Sequence, residues 1–213
     1  SRPAEPLPPS DIAAIYNTTG PIEHLSEADA LQTETGFSYR ELLGELLYAY
    51  VTARPDIGYA ITTLAKFAKQ PARIHFLRLK NVAKYLRNTI DWGIQFWRTA
   101  PVASLPHVPL SQHDYPTTLP CFPRLLDPLQ LTGYVDASHA NDLCLRRSTT
   151  GYVFTLAGGA IAYRSKTQST TATSSTEAEF IAAVAAAKVA KYLRFILSQL
   201  GFPQHSPTTV SYP

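Results

Sequence analysis

The sequence contains no methionine, only two cysteines and no long apolar run. Two thiols, Cys121 and Cys144, are too few for a disulfide framework or a four-ligand zinc site. No apolar run approaches the ~18 residues that a spanning helix needs, so we do not expect a membrane protein. The first ten residues resemble neither a signal peptide nor a transit peptide, which favours an intracellular protein. The chain begins with Ser1 and contains no methionine, so we expect it to be a piece of a longer polypeptide.

The overall composition is that of a globular protein. Hydrophobic residues make up 45% of the 213 residues and charged residues 16%, which argues against a disordered or fibrous chain. This length allows one large domain or two small ones. The net charge of +3 is unevenly distributed, because residues 57–90 contain seven lysines and arginines and no acidic residue. We therefore expect a local basic surface.

The first half of the chain divides into a tail and a helical region. Four prolines within the first nine residues and a Ser/Thr/Glu-rich remainder predict a disordered or extended tail over residues 1–37. From residue 38 to residue 98 the apolar spacing is helical. It predicts helices over 39–53, 57–69 and 72–87, followed by a short strand over 91–97.

The second half changes from helical to alternating periodicity. Residues 99–130 are rich in proline, which predicts a linker. Alternating β-branched and aromatic residues then predict three antiparallel strands, over 131–138, 152–156 and 160–166, the last two joined by a tight hairpin at Gly158-Gly159. A long Ala-rich helix over 174–200 and an extended segment from Thr208 follow. We predict an α+β protein, with a helical segment before a β-β-β-α-β unit that is cut short.

Six sequence strings carry a family resemblance. Residues 39–48 (YRELLGELLY), 54–57 (RPDI) and 84–89 (KYLRNT) resemble the region just after the reverse transcriptase core in copia-type retrotransposon polyproteins. Three further strings resemble the opening of the RNase H domain of the same polyproteins: 134–137 (YVDA), 146–154 (RRSTTGYVF) and 174–180 (SSTEAEF). The resemblance therefore implies a connection region over 38–98 and a partial RNase H-like domain over 131–213.

The resemblance implies metal-dependent hydrolysis of the RNA strand of an RNA–DNA hybrid. Two Mg²⁺ or Mn²⁺ ions held by four carboxylates perform this reaction in the family. Asp136 matches the first carboxylate and Glu179 the second. At ~100° per residue Glu179 lies in line with the expected buried stripe of the long helix, whereas Glu177 points away. The residues of this stripe are Ala182, Ala186, Val189, Leu193 and Ile196. Both Ser174-x-x-Glu177 and Thr176-x-x-Glu179 fit a capping box, so this pattern alone leaves either glutamate at the helix start; we assign Glu177 to it.

The sequence departs from the family pattern in several places. Ser138 occupies a position where the family often has a further acid, and His139 a position where it usually has tryptophan. We interpret Asp142 as a charged loop residue rather than a metal ligand. The third and fourth carboxylates belong after the segment at Thr208 and have no match in these residues. We therefore expect weak Mg²⁺ or Mn²⁺ binding and no hydrolysis by this chain alone. Polymerase activity is not expected either, because the family's Asp-Asp motif lies upstream of residue 39.

Three functional hypotheses remain at this point. The first is an RNase H enzyme segment, the second a non-catalytic nucleic-acid-binding module or decayed retroelement remnant, and the third a structural module that docks on a polymerase. The expected partners are an RNA–DNA hybrid or other nucleic acid and the rest of a polyprotein, in a cytoplasmic retroelement particle or the nucleus. Phosphate contacts are expected from one basic helix, through Arg73, Lys80, Lys84 and Arg87. Base stacking is an alternative role for Tyr85, Trp92 and Trp97, for which we favour core packing.

Overall fold

The computed structural model describes residues 5–17, 31–96, 129–142 and 145–212. Helices dominate up to residue 88, and a four-stranded mixed sheet with one long helix follows. The predicted α+β class is confirmed. Of the linker expected over 99–130, residues 99–128 lie outside the described part, as do Cys121, Cys144 and Trp97. No helix among the described residues is long and apolar enough to cross a membrane.

Within the described residues of the helical part, four α-helices have both ends defined. These are α1 (Ile12–Asn17), α2 (Tyr39–Thr52), α3 (Gly58–Ala65) and α4 (Arg73–Asn88). A 3₁₀ turn, Pro9–Asp11, leads into α1, and a second, Pro55–Ile57, leads into α3. The helices predicted over 39–53 and 72–87 are confirmed, whereas α3 ends four residues before the predicted Lys69.

The beginning of the chain is not an extended tail where the structure describes it. Ile15 is fully buried, and Leu7, Tyr16 and Leu31 join the same hydrophobic core as α2, α3 and α4. Residues 31–35 are helical as well. The prediction for residues 1–37 is therefore wrong over 5–17 and 31–37. The few apolar side chains of these segments reach a core formed by residues that are distant in the sequence.

The sheet has the strand order β3-β2-β1-β4. Its strands are β1 (Thr132–Ser138), β2 (Thr149–Leu156), β3 (Gly159–Thr167) and β4 (Thr209–Ser211). β1, β2 and β3 pair antiparallel, and β4 pairs parallel to β1 after the crossover helix α5 (Ser175–Gln199). The predicted β-β-β-α-β order is confirmed.

Two local predictions need correction. The β2–β3 turn has Ala157 and Gly158 at its centre, both with positive φ (52° and 80°), and Gly159 already belongs to β3. The strand predicted over 91–97 is absent from residues 91–96. This stretch instead runs past the turn, where a Cβ on Gly159 would overlap the ring of Phe96.

Small residues hold α5 close to the sheet. Ala178, Ala182, Ala186 and Ala190 are buried along one side of the helix, and α5 packs on Val135 and Phe154 of the sheet. Ala182 and Ala186 were predicted in this stripe. At its C-terminal end the buried residue is Leu197 rather than the predicted Ile196.

The helical part and the sheet are joined directly. The hydroxyl of Tyr163 on β3 lies 2.9 Å from the carbonyl oxygen of Tyr50 on α2. The hydroxyl of Tyr50 accepts a hydrogen bond from the N–H of Ser165 at 3.1 Å, and the two tyrosine rings are 5.6 Å apart. Gly58 is required at this point, because a Cβ there would overlap the Tyr50 ring.

Candidate functional site

A groove of about 870 Å³ runs between the helical part and the sheet. Tyr50, Gly58 and Tyr59 line it on the helical side. On the sheet side it is lined by β1, β2 and β3, among them Tyr134, Asp136, Ser138, Gly151, Val153 and Arg164. This face of the sheet is opposite to the face that α5 covers.

Asp136 lies in this groove. Its neighbours Val135 and Ala137 pack toward α5. Because successive side chains of a strand point to opposite faces, the carboxylate points away from α5. Gly151 is its cross-strand partner, and a Cβ on Gly151 would meet nothing within 4 Å. An exposed carboxylate with open space beside it is therefore available to a ligand.

Glu179 lies at the same end of the sheet as Asp136, but it belongs to α5, which packs on the other face of the sheet. Nε2 of the buried Gln168 donates to Oγ1 of Thr150 at 3.0 Å and to the carbonyl oxygen of Ala178 at 2.9 Å. Thr150 pairs with Ala137 of β1, next to Asp136. Gln168 thus holds the first turn of α5 beside the end of β1. It was not among the sequence-predicted site residues, because a buried glutamine has no recognisable motif.

Glu177 caps the helix, as predicted. Its backbone N–H donates to Oγ of Ser174 at 3.1 Å, and its carboxylate accepts from the N–H and hydroxyl of Thr173, both at 2.7 Å. Those hydrogen bonds from Thr173 lower the pKa of Glu177. Glu179 is exposed.

The described residues alone do not fit a two-cation site. Mg²⁺ takes octahedral oxygen ligands, and a two-metal centre needs several shared carboxylates. Among residues 5–17, 31–96, 129–142 and 145–212, no three His, Cys, Asp or Glu side chains come close enough to hold a metal. Asp136 and Glu179 are the candidate ligands, on opposite sides of one strand end. Their joint use of an ion stays a prediction.

The second carboxylate in the groove, Asp56, is already paired. Arg54 makes two parallel hydrogen bonds to it, at 3.0 and 2.8 Å. Burial raises the pKa of Asp56, but hydrogen bonds from Arg54 and Tyr85 outweigh this and leave the pKa below its usual range. Arg54 is also buried and donates to the carbonyl oxygen of Thr89 at 3.0 Å. The RPDI string therefore ties the end of α2 to the end of α4.

Asp142 is a buried anchor rather than the expected loop charge. It is 3% exposed, and its Oδ2 accepts from Nζ of Lys66 at 2.8 Å. Oδ1 accepts from the N–H of Leu145 at 3.0 Å. Lys66 also donates to the hydroxyl of Tyr16 at 3.0 Å. Burial lowers the pKa of Lys66, but the hydrogen bonds to Asp142 and Tyr16 outweigh it, so the pKa is raised.

The basic block separates into paired and free cations. Lys66 pairs with Asp142, Arg78 with Asp11, and Arg73 with Glu34. The remaining cations of α4 are exposed and make no ion pair with a described carboxylate; they are Lys80, Lys84 and Arg87. Their spacing of four and three residues places them on one side of the helix, in line with Arg73.

The aromatic residues considered for base stacking belong mainly to the core. Tyr85 is buried, with the Arg54 guanidinium 5.6 Å from its ring centre, as expected for a packing role. Trp92 is 41% exposed and makes an edge contact with Tyr85. Neither offers a free ring to a base on both faces.

The chain is similar in sequence to proteins of transposons. The chain is 34% identical over 166 residues to the retrovirus-related Pol polyprotein from transposon TNT 1-94 of Nicotiana tabacum, covering 78% of the chain and 10% of that protein. It is 30% identical over 170 residues to a putative transposon Ty5-1 protein of Saccharomyces cerevisiae, covering 79% of the chain and 43% of that protein. No family model matches the chain.

A relative of a different kind matches over most of its own length. The chain is 35% identical over 155 residues to the secreted RxLR effector protein 161 of Plasmopara viticola, covering 73% of the chain and 90% of that protein. No solved structure matches the chain.

Proposed function

The chain belongs to the family of retrovirus-related Pol polyproteins of copia-type transposons, and on this premise we propose that it is a connection and RNase H-like module that binds nucleic acid and does not cleave it alone. In this proposal residues 38–98 form the connection segment and residues 131–213 the RNase H-like unit. The chain spans about a tenth of the tobacco polyprotein, so the activities of the whole polyprotein are not assigned to it.

The position of Asp136 is the observation that carries this proposal. Aspartate is depleted in β-strands, so its presence in β1, which lies between β2 and β4, favours a functional role. Asp136 is exposed, lines an open groove and faces a glycine across the strand pair. The β-β-β-α-β order of this part, with its α5 crossover, supports the RNase H-like assignment. Two candidate carboxylates rather than four support a binding role over an enzymatic one for these residues.

The phosphate-binding surface in this proposal is the α4 row, defined as Arg73, Lys80, Lys84 and Arg87. The last three are exposed and make no ion pair with a described carboxylate, whereas Arg73 is paired with Glu34, so the last three are the leading contacts. The segment 57–90 itself contains no acidic residue. Contacts from lysine and arginine to phosphates give sequence-independent affinity, which suits a module that holds hybrid of any sequence. The proposed setting is a cytoplasmic retroelement particle or the nucleus.

Salt-dependent binding of a labelled RNA–DNA hybrid tests the proposal. The triple variant Lys80→Ala/Lys84→Ala/Arg87→Ala is compared with Lys69→Ala/Arg146→Ala/Lys166→Ala, which removes the same charge from exposed sites outside α4. Each lost phosphate contact lowers the slope of log K against log salt by about 0.9. We expect the first triple to lose about 2 to 3 units of slope and the second less than 1. Equal losses would show only a general charge effect.

A free-standing role is the second candidate function. The Plasmopara effector is covered by this chain over 90% of its length, so a protein of nearly this extent occurs outside a polyprotein. The contacts between Tyr50 and Tyr163 and between Lys66 and Asp142 support it, because they make the two parts one packed body. A single cooperative unfolding transition, seen alike by tryptophan fluorescence and far-UV circular dichroism, is expected; two separate transitions would oppose it.

A further inference from the structure

The outer face of α5, opposite to the sheet, carries exposed aromatic side chains. Phe180, Tyr192 and Phe195 are 70%, 63% and 60% exposed. At ~100° per residue, Phe180 and Phe195 lie within about 60° of each other and are separated by about 22 Å along the axis. Tyr192 flanks the same face. Singly exposed apolar residues are ordinary, but three large rings on one helix face are not.

The same face is basic. Lys188 and Lys191 lie between Phe180 and Phe195, are exposed and make no ion pair with a described carboxylate. The sequence has no Asp or Glu from residue 180 to residue 213. Glu177, before this stretch, is bonded to Thr173. Arg194 does not contribute, because its guanidinium donates to the carbonyl oxygens of Gln204 and Ser206.

We propose that this α5 outer face, defined as Phe180, Lys188, Lys191, Tyr192 and Phe195, binds single-stranded nucleic acid. Unpaired bases stack on the aromatic rings, and the two lysines contact the backbone phosphates between them. Cationic side chains set between aromatic ones combine the phosphate contacts and the ring stacking that hold single strands without sequence preference. The surface is separate from the α4 row, and the proposal does not depend on the proposed function.

The chemistry of the face selects this ligand over two others. In a duplex the base faces are already stacked on one another, so exposed rings gain little from it. In a twofold dimer through this face, the lysines of both copies would lie close together, and the resulting like-charge repulsion opposes association. An anionic, aromatic ligand satisfies the rings and the lysines together.

Fluorescence anisotropy with labelled dT12 and rU12 tests the proposal on the 213-residue protein. Phe180→Leu and Phe195→Leu keep an apolar side chain and remove the aromatic ring, and Phe202→Leu is the matched control at an exposed ring outside α5. We expect each α5 variant to weaken binding about fivefold or more, and the control to bind like the parent protein. Lys188→Ala/Lys191→Ala is expected to lower the salt slope by about 1.4.

Three results would overturn the proposal. The first is unchanged oligonucleotide affinity in both α5 phenylalanine variants. The second is complete loss of single-strand binding in Lys80→Ala/Lys84→Ala, which would assign the binding to the α4 row. The third is a dimer in sedimentation that Phe195→Leu converts to a monomer, which would make the face a self-association surface. If the α4 triple variant binds hybrid as tightly as the parent protein, the proposed function fails, but the dT12 result expected for α5 is unchanged. The two proposals are therefore tested separately.

Discussion

Nζ of Lys66 lies 2.8 Å from Oδ2 of Asp142, an ion pair that joins the end of α3 to the loop between β1 and β2. The Asp142 side chain is only 5% exposed and that of Lys66 25%. A carboxylate so deeply buried is tolerated because a cation and an N–H group both contact it. The contact fixes the helical part against the sheet that carries Asp136.

Removal of this cation is expected to destabilise the protein. Lys66→Met leaves Asp142 buried without a counter-charge, and loss of one partner from a buried pair costs about 3 kcal/mol or more. Because Lys66 is partly exposed, we expect Lys66→Met to lower the free energy of unfolding, measured in urea, by about 2 to 3 kcal/mol. Lys69→Met, at an exposed neighbour, should stay within about 0.5 kcal/mol of the parent. Absence of coupling between Lys66→Met and Asp142→Asn in a double-mutant cycle would contradict the assignment.

Stability is expected to fall below about pH 6.5 because of His75. The ring is fully buried, accepts the Ala72 N–H at Nδ1 (2.8 Å) and donates from Nε2 to the Ile15 carbonyl oxygen (3.0 Å). Burial lowers the pKa of His75, although the Ile15 carbonyl raises it in part. Below about pH 6.5 the unfolded chain therefore binds more protons than the folded protein. The stabilising contribution of the neutral His75 ring is complete above this pH and is lost as the pH falls.

Urea midpoints measured from pH 5 to pH 8 check this dependence. His75→Gln should show a weaker pH dependence than the parent protein, at lower overall stability. His205→Gln, at an exposed histidine, is the control and should follow the parent curve. Parallel curves for the parent and His75→Gln would show that other groups cause the acid sensitivity.

The cap of α5 predicts a difference between two neighbouring acids. Ser174→Ala removes the acceptor for the Glu177 N–H and is expected to cost about 1 kcal/mol. Glu177→Gln should also destabilise, by less, because a neutral amide accepts the two Thr173 hydrogen bonds more weakly. Glu179→Gln should leave the melting temperature unchanged, since that side chain is exposed and accepts no described hydrogen bond. An equal effect of both Gln substitutions would contradict the capping role.

Local periodicity was sufficient to predict much of the fold. In the helices α2 and α4 and the strands β1 to β3, apolar residues recur at helical or alternating spacing. Each of these elements can therefore be recognised from its own sequence. The burial of Ile15 was not predictable, because it depends on a core that includes Phe76, some 60 residues away. The strand expected at 91–97 was wrong for a related reason. Its bulky residues alternate, but a strand also needs a partner that completes its backbone hydrogen bonds.

The candidate site was predictable only where a motif marks it. Asp136 and Glu177 were assigned from strings of neighbouring residues. The burial of Asp142 depends on Lys66, 76 residues earlier in the chain, and no local pattern indicates that pairing. The α5 outer face was also missed, because an exposed phenylalanine and a buried one look alike in a sequence until the packing of the helix is known.

Weak metal binding is expected at Asp136. A single exposed carboxylate, with Glu179 across the strand end, leaves most positions on Mn²⁺ to water. We expect a dissociation constant in the millimolar range or weaker, measured by paramagnetic broadening of NMR signals near Gly151. Asp136→Asn should abolish the broadening, and Glu177→Gln should leave it unchanged. Micromolar affinity would mean that further ligands complete the site.

Cleavage of RNA–DNA hybrid separates the enzymatic from the binding hypothesis. Water activation and leaving-group stabilisation both depend on a complete set of carboxylates, so we expect no detectable hydrolysis by the 213 residues alone. The RNase H resemblance implies that later carboxylates complete the set. Fusion to the segment that follows the matching region in the tobacco polyprotein should therefore produce Mg²⁺-dependent cleavage. This cleavage should disappear in Asp136→Asn and Glu179→Gln and persist in Glu177→Gln. Hydrolysis by the unfused chain that Asp136→Asn abolishes would instead show that these residues, or two copies of them, already form a working site.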